Sequence, residues 1–274
     1  RAFLQGGTAI AGFALVAAAC GGSSDDAAGS DSVEGGADGL ASGDWSRVIN
    51  QASGTLAMYT WGDYNDPELV GALAASTRNI GLGSLVVNAG LRDPAIVANA
   101  AATVQEISGG RFVLGLGAGA SPTSTFASEL HAIGAEIPVT MEQRHKRLEH
   151  VLDVLDSMWS NNRDDKYATF PLPQDSIPRI LGVNSVALAT LAGKRCDGVN
   201  VRASHERRGE ILRAAQDAAG NREFMVSVWD WFDESLLDEN SDARKQLVSE
   251  GVNRLILLMR GAPDAARIES SSVL

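Results

Sequence analysis

The chain predicts an α/β fold built on a parallel sheet, and three observations carry that prediction. Residues 80–119 contain a complete strand–helix–strand unit. From there to Met259, short β-branched runs alternate with helical patterns, as a parallel sheet requires. Glycine-rich turns fall at the strand ends, the edge at which such folds place their ligands.

Each element has a local reason. Residues 80–87 (IGLGSLVV) are β-branched and bracketed by glycine, the pattern of a strand buried on both faces. Asp93 can cap a helix in which Ile96, Val97, Ala100, Val104 and Ile107 recur at helical spacing. Ser108-Gly109-Gly110 stops that helix, and residues 111–116 return as a second strand delivering Gly117, Ala118 and Gly119 to its carboxyl end. Residues 120–138 read as an irregular excursion broken by Gly134 and Pro138. Thr140 can cap a long helix reaching Trp159, with Leu148, Val151, Leu152, Leu155 and Trp159 as its apolar stripe. A polar loop over 161–175 follows. Strands are then expected at 177–183, 198–201, 224–232 and 254–259, and helices at 185–195, 205–219 and 241–250. A further helix is expected at 67–76, and residues 55–59 can form a strand.

The amino-terminal part belongs to another class. Residues 1–20 have a basic start, an apolar run and small residues before Cys20, the layout of an export signal. Ala17-Ala18-Ala19-Cys20-Gly21 resembles a bacterial lipobox, which implies a lipid anchor on Cys20 and an exported, membrane-anchored protein. Without a genuine leader, the expectation is a cytoplasmic one. Residues 21–50 are rich in Gly, Ser, Asp and Ala, a disordered linker by composition. A net charge of −11 argues against a nucleic-acid partner.

Two resemblances extend the reading. Residues 51–70, with SGTLAMYTWGDYNDPELV, resemble the first strand of periplasmic polyamine-binding proteins of ABC transporters. That resemblance places Trp61 and Tyr64 at a spermidine or putrescine site, where aromatic faces suit a polycation. In residues 71–274, SGGR is followed by GLGAG, then an Arg-bearing helix ending in Met-Trp, then an Ala-Gly…Asp-Gly strand start. This order resembles the luciferase-like monooxygenases, TIM-barrel oxidoreductases that use coenzyme F420 or a flavin. The resemblance implies an incomplete (β/α)8 TIM barrel lacking its first two strand–helix units, preceded by the signal segment and linker. Such a chain reads as a composite of a lipoprotein leader and an amino-terminally truncated barrel.

The luciferase-like resemblance also implies a site. The cofactor would be F420, with FMN as the alternative, acting on a small-molecule substrate, and related barrels often pair as homodimers. A backbone distortion, often a non-prolyl cis peptide, maps to Leu85-Val86, with Asn88 at the strand end; the other reading is an ordinary buried strand. Gly117, Ala118, Gly119 and Ala120 map to the loop where cofactor approaches the backbone, with no side chain intervening. Val183, Asn184, Ser185 and Val186 map to the cofactor's phosphate cradle, since a helix N-terminus favours an anion. A plain helix cap at Asn184 or Ser185 is the competing reading. No catalytic residue can be named: the family's sugar-phosphate dehydrogenases take theirs from the second strand, and Ala120 stands where they have a glutamate. His145 and His150 lie five apart and do not share a helix face as zinc ligands would. No metal site is expected, and Cys196 reads as a packing residue. A non-catalytic remnant of the barrel is the third functional class the sequence allows.

Overall fold

The computed structural model describes residues 57–60, 74–75, 78–79, 81–236 and 238–258. The leader, Cys20, the linker, Trp61, Tyr64 and most of the helix expected at 67–76 lie outside the described residues.

The strands are β1 (Ala57–Thr60), β2 (Gly81–Ser84), β3 (Val87–Asn88), β4 (Phe112–Gly117), β5 (Arg179–Gly182), β6 (Gly198–Arg202), β7 (Met225–Trp231) and β8 (Arg254–Leu258). The helices are α1 (Pro94–Ser108), α2 (Ser128–Ala132), α3 (Met141–Met158), α4 (Val186–Arg195), α5 (Arg208–Ala219) and α6 (Asp242–Ser249). Every strand pair is parallel, in the order β1-β2-β4-β5-β6-β7-β8. The described strands thus form a curled sheet with seven positions, β3 being a second segment of the strand that begins as β2. No described residue of β1 pairs with β8. The strand expected at 55–59 is present as β1, in register with β2 from Ala57↔Gly81 to Thr60↔Ser84.

Caps explain where the helices begin. Asp93 accepts from the N–H groups of Ala95 and Ile96. Thr140 and Gln143 form a reciprocal capping box on α3. Gly109, at φ 64°, ends α1 in the left-handed conformation that glycine tolerates.

Three expectations need correction. The strand expected at 80–87 is broken after Ser84 and resumes at Val87. The excursion at 120–138 is not wholly irregular, because it carries a 3-10 turn (Thr125–Ala127) running into α2. The apolar stripe expected on α1 is misplaced: Ile96 and Ile107 are 56% and 45% exposed. The buried face is instead Val97, Ala98, Ala101, Ala102, Gln105 and Ser108. Small residues let α1 lie close, and Gln105 is held there because its amide bridges two backbone groups. It accepts from Phe112 N at 2.8 Å and donates to Ser176 O at 2.8 Å, so its burial leaves no polar group orphaned.

The core lies between the outer face of the sheet and the helices. Leu114, Leu116, Leu181, Val199, Val201, Val226 and Val228 point outward and pack with Leu148, Val151, Leu152, Leu155, Ile211 and Leu212. Cys196 belongs to this core, and burial pushes its thiol up to about 12, which leaves it unreactive at neutral pH. At the amino end of the sheet, Arg195 bonds Asp153 at 2.7 Å and Asp156 at 2.6 Å. Arg179 bonds Asp156 as well and reaches the Arg195 carbonyl. These four side chains clamp α3, α4 and β5 together.

Candidate functional site

The break in the β2–β3 strand is the structural origin of the site. Gly83 pairs with Val113 and Val87 pairs with Leu116, so four steps on one strand face three on its neighbour. This is a bulge of one residue, and the peptide bond between Leu85 and Val86 within it is cis. A bulge strands backbone groups of the partner strand. Here the Ser84 hydroxyl satisfies them, donating to Gly115 O and accepting from Gly115 N, both at 2.9 Å.

The bulge turns Val86 onto the inner face of the sheet, over a floor of glycines. A Cβ on Gly117 would lie 2.6 Å from Val86 Cγ2, and one on Gly182 would lie 3.1 Å from Val86 Cγ1. One on Gly115 would penetrate the Ser84 carbonyl oxygen. Gly119, at φ 82°, is similarly close to Asn88, whose Oδ1 would sit 2.7 Å from an added Cβ. Asn88 in turn accepts from Gly90 N at 2.8 Å, fixing the turn after β3. The space beside Gly117 and Gly119 is therefore occupied by Val86 and Asn88. These glycines admit the bulge, and Val86 becomes the surface presented inward.

Register brings the remaining candidates to the same rim. Asn88, Gly117, Gly182 and Asn200 are successive cross-strand partners. Gly119 and Ser185 follow two and three residues beyond the Gly117–Gly182 pair, on adjacent strands. Ser185 caps α4, its hydroxyl accepting from Leu188 N at 3.4 Å, and its carbonyl accepts from Ala189 N. The positive end of α4 thus faces the rim beside Val183, Asn184 and Val186. Leu85 is buried; Ala118 and Ala120 are half-buried.

Sequence reasoning missed the inner face of the next two strands. Asn200 and Ser227 pair across β6 and β7 at 2% and 0% exposure, Asn200 Nδ2 donating to Ser227 Oγ at 2.8 Å. Ser227 Oγ donates to Val199 O, which leaves Asn200 Oδ1 a buried acceptor without a partner among the described residues. Two residues further out, Arg202 lies over the Trp229 ring, 5.4 Å from its centroid. The signal was available as period-two alternation: in VNVR and VSVW the valines face the helices and the intervening residues face inward. From β4 to β8 the inward register carries Arg202 and Arg254 but no carboxylate.

An inward apolar platform, a buried acceptor and a helix N-terminus thus share the carboxyl rim of a curled parallel sheet, the architecture of a β/α half-barrel. The chain belongs to the luciferase-like monooxygenase family, whose sequence pattern matches residues 52–226. That match begins inside the segment likened above to polyamine-binding proteins. Among relatives, a 5,10-methylenetetrahydromethanopterin reductase of Archaeoglobus fulgidus is 32% identical over 174 residues, covering 58% of this chain and 49% of the relative. An F420-dependent glucose-6-phosphate dehydrogenase of Nakamurella multipartita is 29% identical over 139 residues, 47% of this chain and 39% of the relative. The chain thus spans about half, or less, of the length of these relatives. In structure it resembles the coenzyme F420-dependent tetrahydromethanopterin reductase from Methanopyrus kandleri, with a TM-score of 0.59 and 15% identity over 82% of this chain and 90% of that one. A monooxygenase from Streptomyces bottropensis also has a TM-score of 0.59, at 17% identity over 80% and 83%. At such identities the likeness speaks for the fold.

Proposed function

We propose that this chain is an F420-dependent oxidoreductase that passes a hydride between the deazaflavin and a small organic substrate, with FMN as the alternative cofactor. The observation that carries the proposal is the Leu85–Val86 bulge, which presents an apolar surface inward at the rim where ligands of parallel β/α folds bind. The F420-dependent relatives supply the choice of cofactor.

The residues fit such a group. A flat tricyclic ring needs an apolar backing and polar partners at its edge. Val86 on its glycine floor is the backing, and the unpartnered Asn200 Oδ1 is a buried acceptor on the same inner face. The first turn of α4, with Asn184 and Ser185 before it, would hold the cofactor's phosphate through backbone N–H groups. When bound, F420 supplies the hydride chemistry itself, and the protein's part is to hold, orient and shield. Ala120 has no proton to give or take, so acid–base work at that position is not assigned to this chain.

Fluorescence titration of the purified full chain with F420 and FMN tests the proposal. Saturable F420 binding, tighter than FMN, is expected. It should be weakened about tenfold or more in Gly119→Val, because a β-branched residue at φ 82° must displace Asn88. Absence of saturable binding by either cofactor would sink the proposal.

A further inference from the structure

We infer that Arg202, laid against Trp229, is the anchor for an oxyanion, a phosphate or carboxylate, of the ligand bound at the rim. This inference rests on the F420 reading above and names a specificity-determining residue within that site.

Among the described arginines, Arg179, Arg195 and Arg208 are engaged with carboxylates, and Arg111, Arg144 and Arg222 donate to backbone carbonyls. Arg202 differs. Its side chain makes no hydrogen bond or ion pair among the described residues, and its guanidinium lies over the face of Trp229. That contact does not use the guanidinium N–H groups; it restricts the side chain's rotamers and leaves a planar set of donors free. Cross-strand pairing of Arg202 with Trp229 places both on the inward register, one step above the buried Asn200–Ser227 pair. The position is therefore the open mouth of the inner face, where Arg202 is exposed to solvent.

Charge distribution points the same way. The protein carries a net charge of −11, yet the inward register from β4 to β8 has two arginines and no acid. A guanidinium with no acid beside it on that register favours an anion there over a cation. A guanidinium fork matches the two oxygens of a carboxylate or phosphate. The oxyanion could come from the cofactor's own phosphate or carboxylates, or from the substrate, and binding measurements separate the two.

Wild type, Arg202→Gln and Arg202→Lys are titrated with F420 and with its phosphate-free deazaflavin core, and citrate is added to the F420-saturated proteins while thermal unfolding is followed. If the oxyanion belongs to the cofactor, Arg202→Gln weakens F420 about tenfold or more. The core then binds as before, and Arg202→Lys retains part of the affinity. If it belongs to the substrate, F420 affinity is unchanged, and the stabilisation by citrate seen in the wild type is lost in Arg202→Gln. Wild-type behaviour of Arg202→Gln in both measurements overturns the inference while leaving the F420 reading intact. Failure of the wild type to bind either F420 or its core removes both.

Discussion

One oxygen atom on Ser84 bridges two backbone groups of Gly115 that the bulge would otherwise leave unpaired. Ser84→Ala should therefore lower stability by about 2–4 kcal/mol, the cost of two buried unsatisfied groups, read as a fall in the urea midpoint with an unchanged slope. Two glycines separate steric from conformational need. At Gly109 nothing lies within 4 Å of an added Cβ, so Gly109→Ala meets only the left-handed φ of 64° and should cost about 1 kcal/mol. Gly115→Ala drives a methyl into the Ser84 carbonyl and should cost about 3 kcal/mol or abolish folding. Equal effects of the two substitutions in the same unfolding assay would contradict this packing. None of it was legible from one stretch of sequence, because Ser84, Val86 and Gly115 meet across about thirty residues of chain. The resemblance marked Leu85-Val86 as a distorted position, and the alternation in VNVR and VSVW was open to inspection. The reason for the glycines became visible only when Val86 was seen to fill their space.

Among the elements, α3 was readable because its apolar residues are large and evenly spaced, and Leu148, Val151, Leu152 and Leu155 are all buried. The face of α1 was misread because its buried side is alanine-rich and includes a glutamine, whereas its isoleucines face outward. Hydrophobicity locates a helix face only when the large residues are the ones that pack. The α5–α6 connection makes a pH prediction. Arg208 grips Glu250 at 2.7 and 2.9 Å and also donates to Ala203 O, tying the end of α6 to the start of α5. The Arg208 hydrogen bonds, opposed by burial, hold the Glu250 carboxyl below its ordinary 4.5. A carboxyl lowered on folding stabilises fully above its unfolded value and loses that contribution as pH falls through the folded one. Glu250→Gln should thus cost about 1–3 kcal/mol at pH 7. The difference from wild type should shrink steadily below pH 4.5, as measured by denaturant unfolding at several pH values. A difference independent of pH would mean that the pair is not the source.

For the molecule as a whole, alternation of strands and helices was enough to give the parallel sheet and the order of its elements from Gly81 onward. The sheet's curl and the gathering of its turns on one rim depend on register, which a single sequence does not encode locally. The two ends of the sheet have different construction. The carboxyl rim holds Val86, Asn200, Arg202 and Trp229, whereas the amino end is bound by Arg195, Arg179, Asp153 and Asp156. Arg195→Met, which removes the partner of the exposed Asp153 and one of the two partners of the exposed Asp156, should lower the melting temperature by about 1–4 °C. Arg202→Gln, at an exposed position, should leave it nearly unchanged; a larger loss for Arg202→Gln in thermal unfolding would refute the comparison. Because that ionic foundation lies at the far end from the opening, the lip can be rewritten residue by residue for a new guest while the building beneath it stands, giving this scaffold wide latitude to change what it accepts.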